Sequence, residues 1–240
     1  MLLLAVVGVG TGGYGFVTLM NYRMASVPSG GMLPTVQPGL VVLYRWTPLA
    51  EIPRGAVVLV ELSAFPDASP GDGQIIKRVI GVGGDQVVCC TNDNLITVNG
   101  KPVKEPYADD DNGYGRKEYQ PFSVQVPPEA VFVVGDQRNN SRDSRLYVGM
   151  PGDGAVPLSK VNGVVVGIGG TLNAEPFLQT TAFVEAGLPG DPVSDTGFRS
   201  SRNLAFAGTG LVVLGVIGAI VIVVRSAGKR RRAAAIPPAH

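Results

Sequence analysis

Two uncharged apolar stretches, one near each end, constrain this chain more than any other feature. Leu2 to Met20 carries no charge and, at about 1.5 Å of helix per residue, is long enough to cross a hydrocarbon core. Leu204 to Val224 is also uncharged and consists mostly of Val, Ile, Leu, Ala and Gly. Arg225, Lys229, Arg230, Arg231 and Arg232 follow it, against only Arg199 and Arg202 on its other flank. Basic residues collect on the cytoplasmic side of a span, so the C-terminus is expected inside. Two crossings return the N-terminus to the same side, and everything between the spans is expected outside. The first stretch lacks a basic leading region and a small-x-small cleavage site, so an anchor is expected rather than a removed signal peptide. Its Gly8, Gly10 and Gly13 match G-x-G-x-x-G, but no strand precedes them and no βαβ unit follows, which argues against a dinucleotide site.

The 240 residues leave about one domain between these ends. With 33 glycines and 19 prolines, that domain is expected to be turn-rich and built of strands. Runs at Leu40–Tyr44, Ala56–Val60, Gln74–Gly81, Ile96–Val98 and Ala130–Val134 are β-branched or apolar, and turn residues bound most of them. Asn99-Gly100 reads as a hairpin turn. Residues 105–120 read as a polar loop whose Asp109-Asp110-Asp111 run is either a calcium site or a solvated acidic stretch. From Ile168 to Arg202 the chain is rich in Pro, Gly and Thr without clear periodicity, and a tether is expected there.

Scarcity narrows the chemistry. The formal net charge is +1, which gives no reason to expect a nucleic-acid partner. The one histidine is His240, so Ser/His/Asp and Cys/His catalysis and a histidine-bound zinc are all disfavoured. The two cysteines are the neighbours Cys89 and Cys90. They are either small residues in a strand or, outside the cytoplasm, a vicinal disulfide. No cofactor or metal is expected.

Three stretches hold polar residues in unusual company: Val27 to Thr35, Ile75 to Gly81, and Gly135 to Arg145. In a strand Lys77 shares a face with Ile75 and Val79, while Arg78 faces the other way. A lysine among apolar neighbours is desolvated, which lowers its pKa. An unperturbed lysine is neutral in only about one molecule in a thousand at neutral pH. Lowering its pKa by about three makes it a usable general base, at a differential cost of roughly 4 kcal/mol. Strand pattern alone favours a lysine that snorkels to solvent.

In order, the chain carries Ser29-x-x-Met32-x-Pro34-Thr35 after a span, Lys77-Arg78-Val79-Ile80-Gly81 in a strand, and Gly135-Asp136-x-Arg138-Asn139-Asn140-Ser141-x-Asp143-Ser144-Arg145 in a loop. This combination resembles the bacterial type I signal peptidases, membrane serine endopeptidases that use a Ser/Lys dyad. The resemblance extends through Arg54–Val58, Val98–Gly100 and Val156–Leu158, and so covers most of residues 24–166. It implies a mainly β domain of coiled, mostly antiparallel sheet flanked by two transmembrane helices. It implies Lys77 as general base and Ser141 as the hydroxyl that orients it. Asp143 and Arg145 match a stiffening ion pair, Ser29 and the N–H of Gly31 the oxyanion donors, and Met32 the residue beside the nucleophile. Implied partners are the signal peptides of secreted preproteins, the lipid bilayer and the secretion machinery, at the plasma membrane. The expected organisation is a transmembrane helix over 2–20, the extracytoplasmic domain over 24–167, a flexible tether over 168–203, a second transmembrane helix over 204–224, and a basic cytoplasmic tail over 225–240.

One position departs from the pattern decisively. Where the family has its serine nucleophile, this chain has Gly31, which offers no Oγ to attack a carbonyl. Gln137, where asparagine is usual, and Gly83, where proline is common, are lesser departures. Four readings follow. The site binds signal peptides without cleaving them; or Ser29 or a water serves as nucleophile with Lys77; or the glycine is an engineered or erroneous substitution in an ordinary peptidase; or the chain is an unrelated β-rich membrane protein with a structural role.

Overall fold

A computed structural model describes residues 2–46, 52–69, 71–108, 120–170 and 173–234. The Asp109–Asp111 run and His240 lie outside the described residues. The chain divides into a helical unit, Met1–Asn21 with Thr196–His240, and a β unit, Tyr22–Asp195.

The helical unit pairs α1 (Leu2–Leu19) with α3 (Gly197–Ala234), both long and apolar enough to cross a membrane. Glycine decides how they meet. A Cβ on Gly8 would come within 2.7 Å of the Gly208 carbonyl, and one on Gly12 within 3.3 Å of Gly208 Cα. Gly15 is equally close to the Ala205 backbone. The spacing of Gly8, Gly12 and Gly15 puts them on one helix face, where missing side chains let two backbones touch. Gly10 and Gly13 have open space around them, so the G-x-G-x-x-G match splits between a packing seam and an outer face. α3 extends beyond the expected 204–224 span at both ends.

In the β unit the larger sheet runs β1 (Tyr22–Ser26), β2 (Val41–Arg45), β11 (Val161–Ile168), β3 (Val57–Glu61), β4 (Gln74–Val82), β9 (Ala130–Val134) and β10 (Val156–Pro157), with β12 (Glu175–Pro176) beside β11. Every pairing in it is antiparallel. Register shifts interrupt the β2–β11, β3–β11 and β4–β9 ladders, at Val165/Gly167, Val161/Gly163 and Val79/Gly81. Each such irregularity increases local twist, which curls the sheet rather than leaving it open and flat. β3, β4 and β9 are buried along most of their length, so they read as continuous apolar runs instead of alternating ones.

The smaller sheet is β7 (Lys101–Pro102), β6 (Thr97–Val98), β5 (Gln86–Cys89) and β8 (Phe122–Gln125). Asn99 and Gly100 join β6 to β7 with φ of 51° and 75°, the doubly positive turn that Asn-Gly favours. Cys89 and Cys90 are joined as a vicinal disulfide across a cis peptide bond.

Residues 168–203 are not the free tether expected from composition. Ala174, Phe177, Ala182, Phe183 and Leu188 are buried, and α2 (Ala182–Glu185) packs Phe183 into the same core as Phe132 and Val134. Single anchors spaced along irregular backbone have no period for a pattern search to find. At the end of this segment Asp195 accepts a hydrogen bond from Tyr22 Oη at 2.9 Å and pairs with Arg45 at 3.2 Å, tying the last residue of the β unit to its first.

Candidate active site

Strand β4 places Lys77 at 4% exposure, between its partner β3 and the turn that follows β1. Its Nζ donates to the Ile76 carbonyl at 2.9 Å. Burial drives its pKa down, Asp143 and Asp136 pull it back up, Arg145 opposes them, and the result is about 8. At neutral pH such an amine is neutral in about one molecule in ten. The sequence left open a snorkelling lysine, and the structure closes that alternative.

Gly31 lies against this amine. A Cβ there would stand 3.3 Å from Lys77 Nζ, 3.4 Å from the Asn140 carbonyl oxygen and 3.7 Å from Ser141 Oγ. The Gly31 carbonyl accepts the Gln137 N–H at 3.2 Å, which ties the turn carrying Gly31 to the loop carrying Ser141. Gly135 begins that loop. Any Cβ on it would collide with Ser141 Oγ and with the Gly31 carbonyl, so only glycine permits the crossing.

Ser141 Oγ is buried and forms no hydrogen bond of full geometry, although its hydroxyl helps to hold the Asp143 carboxylate ionised. Burial would push Asp143 up; Arg145, the Gly135 N–H and Ser141 more than offset it, holding the carboxyl below its ordinary range. The Asp143–Arg145 pair is two-pronged, with Oδ1 and Oδ2 each 2.8 Å from a guanidinium nitrogen. Ser144, fully buried, accepts the Val133 N–H at 3.0 Å and fastens the loop back onto β9.

Val27, Pro28, Ser29, Gly31, Met32, Ile75, Ile76 and Lys77 line one cleft. The expected site residues thus meet in two adjoining groups, Ser29, Gly31, Met32 and Lys77 at the cleft, and Ser141, Asp143 and Arg145 behind it. Ser29 is exposed at the mouth, whereas Met32 is 2% exposed and packs among Val36, Val57 and Ile76. In β4, Gln74–Lys77 pairs with β3 on one edge, while pairing to β9 begins only at Arg78.

Sequence reasoning missed the second ion pair of the site. Arg78 Nε and Nη2 hold the two Asp136 oxygens at 2.8 and 2.6 Å, and its Nη1 reaches the Gly55 carbonyl at 2.8 Å. Thr35 Oγ1 donates to Asp136 as well. The signal available was Asp136 inside the same motif as Ser141, two positions after the apolar run that ends at Val134. What it paired with depended on β4 lying beside β9.

A family model for the signal peptidases, peptidase S26, matches residues 1–168. Signal peptidase I of Mycobacterium tuberculosis is 36% identical over 147 residues, covering 53% of this chain and 50% of that protein. Signal peptidase I U of Bacillus subtilis is 31% identical over 153 residues, covering 57% of this chain and 72% of that one. Relative to the first of these, the chain spans about half the length of the curated relative it matches. The crystal structure of a signal peptidase I from Enterococcus faecalis is 28% identical with a TM-score of 0.37, covering 48% of this chain and 96% of that one. With its family model matched over more than half its length, the chain belongs to the signal peptidase family, peptidase S26.

Proposed function

We propose that this protein binds the cleavage-site segment of signal peptides on exported preproteins, at the outer face of the plasma membrane, without forming an acyl-enzyme. One observation carries the reading: the position a side chain would occupy on Gly31 is 3.3 Å from Lys77 Nζ. A serine hydroxyl there can rotate toward the amine, to the roughly 2.6–3.2 Å that general-base proton transfer requires. The amine is tuned for that task and the hydroxyl is missing from the sequence. Binding does not need the hydroxyl. The edge of Gln74–Lys77 that has no partner strand among the described residues can pair with an extended peptide as an added strand, and the apolar cleft beside it suits small side chains. The basic residues that follow Val224, in the C-terminal part of α3, support both termini inside and the β unit outside, with the bilayer as the second partner.

The test uses the full chain in detergent micelles and a preprotein with a small-x-small cleavage site. The parent is expected to bind without cleaving, Gly31→Ser to gain cleavage, and Lys77→Ala to abolish that gain. Cleavage by the parent that disappears in Ser29→Ala would instead make Ser29, at the mouth of the same cleft, the nucleophile. An inert Gly31→Ser protein that binds no signal peptide would end the reading.

A further inference from the structure

The segment after β7 has no part in the site as described so far, yet it holds the two arginines on which the site rests. The Glu105 side chain is buried and grips Arg138 with both oxygens, at 2.6 and 2.8 Å. Burial would raise its pKa, but Arg138, Tyr107 and Arg78 outweigh that and keep it ionised. Tyr107 donates to Glu105 at 2.7 Å, and its ring lies 3.9 Å below the Arg78 guanidinium. A cation over an aromatic face is attracted to it, more strongly when both are out of water.

Both arginines act on the backbone around the amine. Arg138 Nε donates to the Gly135 carbonyl at 3.1 Å, at the crossing where Gly135 meets Gly31 and Ser141. The Arg138 carbonyl accepts from Arg145 Nη2 at 3.0 Å, and Arg145 holds Asp143. Arg78, adjacent to Lys77 in β4, holds Asp136, which Thr35 joins to the turn carrying Gly31. We propose that Glu105 and Tyr107 are positioning residues for the Lys77 cleft: by holding Arg138 and Arg78 they keep the 135–145 loop closed against Gly31 and exclude water from the amine. This deepens the function proposed above by naming what keeps its site assembled.

Of the charges that act on Lys77, Asp143 and Asp136 raise its pKa and Arg145 lowers it, and burial, the largest influence, lowers it further. Glu105 therefore acts on the amine by keeping water out rather than by its own charge. Loosening the loop re-solvates Nζ and moves its protonation midpoint upward. The experiment is an NMR titration of the full chain in detergent micelles with 13Cε-labelled lysine, the Lys77 signal assigned by its loss in Lys77→Arg. In the parent the midpoint is expected near about 8. Glu105→Gln is expected to raise it by about one pH unit or more, and Tyr107→Phe by less in the same direction. Asp85→Asn breaks the Arg54–Asp85 pair, another buried ion pair of the domain, and is expected to leave the midpoint in place whatever it does to the melting temperature. An unmoved midpoint in folded Glu105→Gln overturns the proposal. Should that variant not fold, Tyr107→Phe, which removes a single hydroxyl, decides in the same way. No peptide is present in the measurement, so a failure here and a failure of signal-peptide binding are told apart.

Discussion

Lys77 and Gly31 define the protein at the scale of single residues. Burying an amine at 4% exposure with a pKa near about 8, against an ordinary 10.5, has a consequence for stability. Below pH 8 the lysine is charged in both folded and unfolded chains, and its burial opposes folding by about 3 kcal/mol. Between pH 8 and 10.5 the unfolded chain keeps a proton that the folded chain has released, so stability rises with pH across that window. Above it the penalty is gone. Lys77→Met, similar in length and apolar, is therefore expected to melt at a higher temperature than the parent at pH 7, by up to about 3 kcal/mol of stability, with the advantage fading near pH 10.5. Thermal denaturation at the two pH values checks it; an equal difference at both would mean that the lysine is not desolvated. The pairing of Arg78 with Asp136 makes the complementary point. It is a fully buried pair that packing and further hydrogen bonds must sustain, and nothing in local sequence announces it.

Among the elements, the helix pair gives the sharpest contrast between positions that look alike in sequence. Gly208 faces the α1 backbone so closely that any Cβ would overlap Gly12, whereas Gly210, two residues on, faces open space. Gly208→Leu is expected to pry α1 from α3 and lower stability by about 1–3 kcal/mol, the usual range for forcing bulk into a packed contact. Gly210→Leu should be silent. Melting of both variants in the same detergent distinguishes a specific seam from two helices that merely share a micelle, since equal effects would deny the seam. Strand β4 illustrates the same dependence on neighbours. Its run from Gln74 to Gly81 was readable from β-branched residues, but its burial on both faces came from separate core clusters, one holding Val79 and the other Ile80.

For the molecule as a whole, the decisive fact is that the β unit does not stop where the family model stops. The match ends at residue 168, while buried side chains continue through Leu188. Phe183, 2% exposed, completes the cluster that includes Phe132 and Val134, in the strand leading into the 135–145 loop. Phe183→Ala is expected to cost about 3–5 kcal/mol, as for other buried phenylalanines. Leu178→Ala, at 88% exposure, is expected to cost nothing measurable in the same denaturation experiment. If both were silent, residues 174–188 would be the tether that composition suggested.

What the sequence determined alone was whatever depends on local chemistry. Uncharged length marked the two helices, β-branched runs marked β2, β3, β4 and β9 within a residue, and Asn99-Gly100 named its own turn. Three ordered motifs identified the family and most of the cleft, because reactive residues recur at fixed offsets along a chain. The tertiary structure decided the rest: which edge of Gln74–Lys77 is unpaired among the described residues, that Lys77 is buried rather than snorkelling, that Glu105 and Tyr107 reach Arg138 and Arg78 from the segment after β7, and that the segment beyond residue 168 belongs to the core. Each of these depends on what lies beside a residue in space, and desolvation and ion pairing are properties of neighbours that no single stretch of chain contains.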